Sequence, residues 1–324
     1  MNEIEQYQKT INEFIAQNKF SKFPQELYEP LDYIMALGGK RMRPVMVMMA
    51  CDLLNGKMED AVPAAMAIET FHNFTLIHDD IMDNAPVRRG KITVHEKWNV
   101  NTAILSGDVM LIEAYALLMR YENDLLRQIL TIFNKSAIEV CEGQQIDMNF
   151  ENRIDVTLDE YIHMITLKTA VVLGASLEVG ALIAGVSPKQ AHHLYEFGRN
   201  MGIAFQLRDD YLDLYADPEK FGKQVGGDVI SNKKTFMLIK ALELAKDNDA
   251  IELNNWLNAD TFNTSEKVEA IKNIFDQLSI PQLLNDAVAS YANLAWKEFE
   301  QIEAAEDKKK IMSDFMKGLL AREV

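Results

Sequence analysis

The chain has 324 residues, 48% of them hydrophobic, enough to bury a sizeable core in one large domain or two. Its 49 acidic and 33 basic residues leave a net charge of −16, which argues against nucleic acid or an anionic membrane surface as partner. The same charge opposes an anionic substrate, so binding one needs local metal ions and clustered basic groups.

Cys51 and Cys141 are too few for a disulfide framework and fit no metal-ligand spacing. The start, Met1 to Gln6, has neither a basic nor an apolar leader region, and no apolar run approaches membrane-spanning length. A cytoplasmic protein without stable membrane insertion is expected. No Pro/Gly/Ser-rich linker divides the chain, so a single domain over 1–324 is expected.

In chain order, residues 1–37 predict one or two polar-faced helices interrupted near Pro24 and Pro30. A loop, Gly38–Pro44, precedes an apolar helix through Val45–Leu54 that ends at Asn55-Gly56. Pro63, a favoured first-turn residue, opens a helix that runs through His72 and Phe74 to Asp83. Beyond the loop holding Arg88-Arg89-Gly90, long helices are expected over 101–120 and 122–149. Thr157 with Glu160 is a capping-box signature for a helix that includes Lys168 and Thr169. Ser187-Pro188 opens the next helix, which ends at Asp217-Pro218. A loop over 221–232 carries Lys223 and leads to Lys233. Further amphipathic helices fill 234–324, with breaks near Asn248, Asp260 and Ser279-Ile280-Pro281, and Asp307–Lys310 reads as a solvated turn. Strand and hairpin signals are almost absent. The fold class is all-α, a bundle of roughly a dozen helices at ordinary helix lengths.

Two acidic patterns carry chemistry. Asp79 and Asp83 are i and i+4 on a helix, so their carboxylates stack one turn apart, with Asp80 beside them. Acids held that close repel unless a cation lies between them, and Mg²⁺ suits a pair of carboxylates whose remaining ligands are water and phosphate oxygens. Arg88 and Arg89, just beyond, are planar permanent cations suited to phosphate. Gln206, Asp209, Asp210 and Asp213 run i, i+3, i+4, i+7 along one helix face behind the apolar Ile203-Ala204-Phe205. Buried carboxylates without counter-charge cost several kcal/mol each, which bound metal offsets. Lys40, Arg41 and Arg43 follow two glycines, which let backbone approach a ligand. Met42, Met46, Met48 and Met49 read as core packing.

These motifs, with Gly38 to Pro44, Gly143-Gln144, Lys168-Thr169-Ala170, Phe221-Gly222-Lys223 and Gly226-Gly227-Asp228 through Lys233, resemble the trans-isoprenyl diphosphate synthases (polyprenyl synthetase family) in residue type and order over roughly 35 to 240. The resemblance implies the isoprenoid synthase fold around a central cavity, and head-to-tail condensation of isopentenyl diphosphate with an allylic diphosphate. It assigns Lys40, Arg43, His72 and Arg89 to isopentenyl diphosphate. Arg88, Lys168, Thr169, Gln206, Lys223 and Lys233 go to the allylic diphosphate, with Lys168, Thr169 and Gln206 as the catalytic set. Asp79, Asp80, Asp83, Asp209, Asp210 and Asp213 are its metal residues, for about three Mg²⁺ ions, with Mn²⁺ as an alternative, and a homodimer through 101–149 is implied.

Product length, by the same resemblance, is set before the first motif. The tail extends along the helix toward its N-terminus, where Phe74 and Phe71 lie roughly 7.5 and 12 Å back from Asp79 at about 1.5 Å per residue. Thr75 is not the second aromatic of one farnesyl type, and Asp79-Asp80-x-x-Asp83 lacks the insertion of another. Geranylgeranyl diphosphate is therefore the expected product, with farnesyl diphosphate or a longer polyprenyl chain as the alternative. A class I terpene cyclase would carry an Asn/Ser/Glu-type motif in place of Asp209–Asp213. A non-catalytic partner subunit would lack the metal residues.

Overall fold

The computed structural model describes residues 3–216 and 225–321. Helix follows helix, as the periodicity predicts: α1 (Glu3–Gln17), α2 (Gln25–Ala36), α3 (Met42–Leu53), α4 (Met58–Met82), α5 (Val94–Lys97), α6 (Val100–Leu118), α7 (Asn123–Glu151), α8 (Leu158–Ile165), α9 (Val171–Ile183) and α10 (Pro188–Tyr215). After residue 225 come α11 (Gly227–Ile230), α12 (Phe236–Leu244), α13 (Asp247–Leu257), α14 (Thr264–Gln277), α15 (Ile280–Glu300) and α16 (Glu306–Leu320). Sequence caps do much of the punctuation: the Asn99 and Thr235 side chains accept first-turn N–H groups of α6 and α12, and Thr157 with Glu160 forms the expected capping box on α8.

Contacts gather the chain into two compact units. Unit 1 comprises residues 1–133, 176–194 and 303–312; unit 2 comprises 134–175, 195–302 and 313–324. In unit 1, α3 is buried on every side, Met46 and Met48 completely. A Cβ on Gly180 of α9 would run into the Val47 carbonyl, so α3 and α9 pack backbone to backbone there. In unit 2, Tyr161, Phe236, Leu253, Ile271 and Phe275 belong to one cluster, and the Phe197 ring stacks on Phe299 with centroids 4.6 Å apart. Each such buried side chain stabilises the fold by about 1.5–3 kcal/mol.

Several expectations are corrected. Pro30 lies inside α2 and breaks nothing, because it deletes one ladder bond while Leu31, Ile34 and Met35 stay buried around it. α4 starts at Met58, five residues before Pro63. Beside that proline the Tyr121 hydroxyl is spliced into the helix, accepting the Ala64 N–H at 3.1 Å and donating to the Asp60 carbonyl at 2.5 Å. A two-stranded hairpin, β1 (Val87–Arg88) with β2 (Lys91–Ile92), stands where no strand was expected. Asp307–Lys310 is no solvated turn but the start of α16: Lys308 Nζ donates to the Asp52 carbonyl at 2.6 Å and to Asn55 Oδ1 at 3.1 Å, satisfying the C-terminal end of α3. Two segments, Val100–Leu118 and Leu158–Ile183, are long and apolar enough to cross a membrane, contrary to the expectation of none. The second is mostly buried, as a core helix is; the first exposes Leu105 and Ile112, seven residues apart, with exposed Met119 seven further on, just past its end.

Candidate active site

The last turn of α4 is regular, with the Asp83 N–H donating to the Asp79 carbonyl at 2.9 Å. Asp79 and Asp83 therefore stand one turn apart, as their spacing predicts. Asp79 is half-buried and Asp83 exposed, whereas Asp80 is buried. Arg89 and Gly90 form the hairpin turn with φ of 51° and 71°, the left-handed pair that a two-residue I′ turn requires. This turn lays Arg88 against α4. Its Nε donates to the two Asp80 oxygens at 2.8 and 2.9 Å, and its Nη2 lies 3.8 Å from Asp79 Oδ2. Burial raises the Asp80 carboxyl above the usual carboxylate range despite the Arg88 guanidinium. Asp80 thus holds Arg88, and Asp79 and Asp83 present the more accessible oxygens.

The glycine loop is shaped around a second arginine. Gly38 and Gly39 have φ of 75° and 123°, and Arg89 Nη1 donates to the Gly38 carbonyl. A Cβ on Gly39 would stand 2.8 Å from Arg89 Cζ, so the room these glycines leave is filled in part by a guanidinium. Arg43 Nη1 is 3.1 Å from His72 Nε2. Arginine only donates, so His72 Nε2 accepts and the ring is neutral. Burial, then Arg43, Arg89, Arg88 and Arg41, hold the His72 pKa well below its ordinary value. The structure so gathers Arg43, His72 and Arg89, with the Lys40 carbonyl accepting from Gln8 Nε2 at 3.1 Å.

Arg41, between Lys40 and Arg43, points elsewhere. It adopts a left-handed φ of 49° before α3 and buries its guanidinium against Glu69 Oε1 and the Met35 carbonyl, each at 2.5 Å. Asn73 Nδ2 donates to the same Glu69 oxygen at 3.1 Å. Forward of this network, Phe71 packs edge-on against Phe133 and lies 5.7 Å from Phe74, which in turn meets His78 edge-on. The Thr75 hydroxyl is turned back to the His72 carbonyl at 2.8 Å.

Unit 2 carries the second acidic face on α10. Asp210 is buried, and Asp209 and Asp213 are half-buried, so this face is not freely solvated. Tyr161 Oη donates to Asp210 Oδ2, Gln206 Nε2 donates to Asp210 Oδ1 at 3.1 Å, and Thr169 Oγ1 donates to Gln206 Oε1 at 3.3 Å. Burial, then the charge of Asp228, raises the Asp210 carboxyl above the usual range. Asp213 Oδ2 accepts the Asp228 N–H at 3.0 Å and so anchors α11, while Lys233 Nζ lies 4.0 Å from Asp228.

Lys168 and Thr169 do not sit in a regular helix, as expected, but in a π-helical segment, Thr166–Ala170, between α8 and α9. Two glycines allow it. A Cβ on Gly143 of α7 would collide with the Leu167–Lys168 backbone, and one on Gly202 of α10 would stand 2.7 Å from Ala170 Cα. Lys168 Nζ donates to Asp147 Oδ2 at 2.7 Å. Lys223 lies outside the described residues.

Sequence reasoning missed Asp147, Tyr161, Glu69 and Gly202. Asp147 had a signal, standing one turn past Gly143 on the same helix face. Tyr161 reaches Asp210 across 49 positions, which no local pattern encodes. Among the described residues no three His, Cys, Asp or Glu side chains gather into a metal cluster. Mg²⁺ takes only one or two protein carboxylates beside water and phosphate oxygens, and Asp79 with Asp83, and Asp209, are hard donors of that kind. The residues fit the ion.

Comparison with known proteins agrees with this arrangement. A sequence model described as polyprenyl synthetase matches residues 24–275. A solved geranylgeranyl pyrophosphate synthase superimposes with a TM-score of 0.95 at 45% identity, covering 100% of both chains. A short chain isoprenyl diphosphate synthase of Methanothermobacter thermautotrophicus is 35% identical over 98% of this chain and 97% of its own. A geranylgeranyl diphosphate synthase of Saccharolobus solfataricus is 37% identical over 89% of each. With its helices, glycine loop and two aspartate faces in that order, this chain belongs to the polyprenyl synthetase family.

Proposed function

We propose that this protein is a short-chain trans-prenyltransferase that joins isopentenyl diphosphate head to tail to dimethylallyl, geranyl or farnesyl diphosphate and yields geranylgeranyl diphosphate. The observation that carries the reading is likeness over the whole chain to a geranylgeranyl pyrophosphate synthase, at 45% identity. Farnesyl or longer products are the alternative outcome of the same chemistry.

In this reading Mg²⁺ ions bound by Asp79, Asp83 and Asp209 would neutralise the charge that grows on the allylic diphosphate as its C–O bond ionises. Arg88 is pre-aimed for the same anion by Asp80, so it loses little freedom on binding. Lys168, oriented by Asp147, and Lys223 and Lys233 add fixed positive charge. Arg43 and Arg89, with Lys40, grip isopentenyl diphosphate. His72, kept neutral by burial and then by its arginines, offers a hydrogen bond without adding charge. The allylic cation faces the Gln206 amide oxygen and the Thr169 backbone carbonyl. The isopentenyl double bond attacks this cation to form the new C–C bond, and the cation so left on the isopentenyl unit loses an adjacent proton to the released diphosphate, since none of these side chains is an obvious base.

The apolar stripe Leu105 and Ile112 on α6, continued by Met119 at its C-cap, supports the homodimer through 101–149 that the family resemblance implies. The cytoplasm is the compartment we propose. Purified protein with Mg²⁺, isopentenyl diphosphate and each allylic primer should release diphosphate and give geranylgeranyl diphosphate on chromatography. A cyclic hydrocarbon product, or no turnover without a second protein, would instead mark a cyclase or a partner subunit.

A further inference from the structure

We propose that Lys267, on α14, is a positioning residue for the allylic diphosphate: it fixes the turn from which Lys233 projects. The inference rests on the prenyltransferase reading and names a residue that reading does not use.

Lys267 stands in the first turn of α14 and is completely buried. A cation there opposes the positive end of the helix macrodipole, and among the described residues no carboxylate pairs with it. Its ammonium is met by dipoles instead. Nζ donates to the Ile230 carbonyl at 3.2 Å and to Asn232 Oδ1 at 2.7 Å, and lies 4.1 Å from the centroid of the Phe262 ring. Ile230 ends α11, so the lysine satisfies a carbonyl that a helix C-terminus leaves without an intrahelical donor. Burying an ammonium in this way is expensive, and packing alone gives no reason for it, since an unbranched apolar side chain of similar length would fill the same space.

What the lysine holds is the approach to Lys233. α11 is one turn of four residues, too short to stand alone, so both its ends are set from outside. At its start, the Asp213 carbonyl accepts the Gly226 N–H at 2.6 Å, and Asp213 Oδ2 accepts the Asp228 N–H. At its end, Asn232 takes a left-handed φ of 55°, and its amide bridges Lys267 to the Leu257 carbonyl, which accepts Nδ2 at 3.0 Å. Lys233 follows directly. Its N–H donates to the Asp228 carbonyl at 2.9 Å and its side chain is exposed, so the backbone of this turn sets the direction of its reach. Without the ammonium, the Ile230 carbonyl and the Asn232 amide oxygen lose their donor beside an apolar side chain, and the turn must open toward water to satisfy them. The Asp213 end keeps its own bonds, so the displacement falls on Lys233.

Kinetics and hydrogen exchange on the full-length enzyme test the assignment. Lys267→Met should raise KM for the allylic diphosphate about fivefold and leave KM for isopentenyl diphosphate within about twofold. A residue that only stabilised the fold would not separate the two. Amide exchange should quicken over 226–235 and stay unchanged over α3. Lys233→Ala should raise the same KM, and adding Lys267→Met in that background should raise it no further, because the group it places is gone. An unchanged allylic KM, an equal rise in both KM values, or unchanged exchange over 226–235 in Lys267→Met would each overturn the inference. So would a rise of about fivefold that persists in the double variant, since the effect would then run through Asp213 or the fold. Should Lys267→Met fail to fold, as circular dichroism would show, Asn232→Gly takes its place with the same expectations, because glycine keeps the left-handed backbone and removes only the amide bridge. A wild-type protein that forms no prenyl product refutes the function itself, an outcome distinct from an active enzyme whose variants fail these expectations.

Discussion

Neighbouring residues of one type have separate work in this protein. Asp79 carries an accessible carboxylate, while Asp80 is buried under Arg88. Asp79→Ala or Asp209→Ala should lower turnover at least a hundredfold, about 2.7 kcal/mol of transition-state stabilisation, with unchanged circular dichroism. Near-normal turnover would refute the metal assignment. Arg41 and Arg43 contrast in the same way. Arg41→Ala strands Glu69 in the core and should cost about 3–5 kcal/mol in denaturant unfolding. Arg43→Ala should leave stability near wild type and raise KM for isopentenyl diphosphate, whereas Lys223→Ala should raise that for the allylic substrate. Neutral His72 adds a pH dependence. Its folded pKa is depressed, so below about 6.5, where the unfolded histidine gains a proton, the unfolded state binds more protons and stability falls with pH. Denaturant midpoints from pH 7.5 to 5 should fall less steeply in His72→Asn.

At the scale of the element, α4 and the π segment decide most. The tail of a growing product extends, in the proposed reaction, along α4 past Phe74 and Phe71. Phe71 is locked among the rings of Phe133 and Phe74, so Phe71→Ala should cost about 3–5 kcal/mol. Half-buried Phe74 should tolerate alanine better and give the cleaner readout. Product chromatography should show longer chains from Phe74→Ala and longer still from the double variant; unchanged length would refute this floor. The π segment is fixed by Gly143 and Gly202, whose missing side chains admit its backbone. Gly202→Ala should therefore displace Ala170 and the adjacent Thr169, lower kcat at least tenfold, and cost about 1–3 kcal/mol by overpacking. A variant destabilised but fully active would separate the bulge from catalysis.

For the molecule as a whole, the outward stripe on α6 makes association the testable property. Leu105 and Ile112 are 57% and 65% exposed, too much apolar surface in one row to be incidental. Changing both to Asp should convert a sedimenting dimer to monomer while the far-ultraviolet spectrum stays helical. A wild type that sediments as a monomer would remove the basis for the homodimer.

Local spacing was enough to set the helical architecture, its capping at Thr157, and the positions of both aspartate faces. Those features depend on residues three or four apart, and helix geometry converts that spacing directly into shared faces. The Arg89-Gly90 hairpin escaped because its strands are two residues long, too short for any alternation to register. Pro30 and Pro63 misled because buried side chains hold α2 together around the first, and beside the second the Tyr121 hydroxyl bridges the Ala64 N–H and the Asp60 carbonyl. Long-range packing selects which member of each charged cluster binds its own protein. Arg41 with Glu69, Arg88 with Asp80, Lys168 with Asp147 and Tyr161 with Asp210 are joined across separations of 8 to 49 residues. Such pairs follow from burial, which leaves an ionised or polar group no stable choice but a partner, and burial is a property of the packed chain.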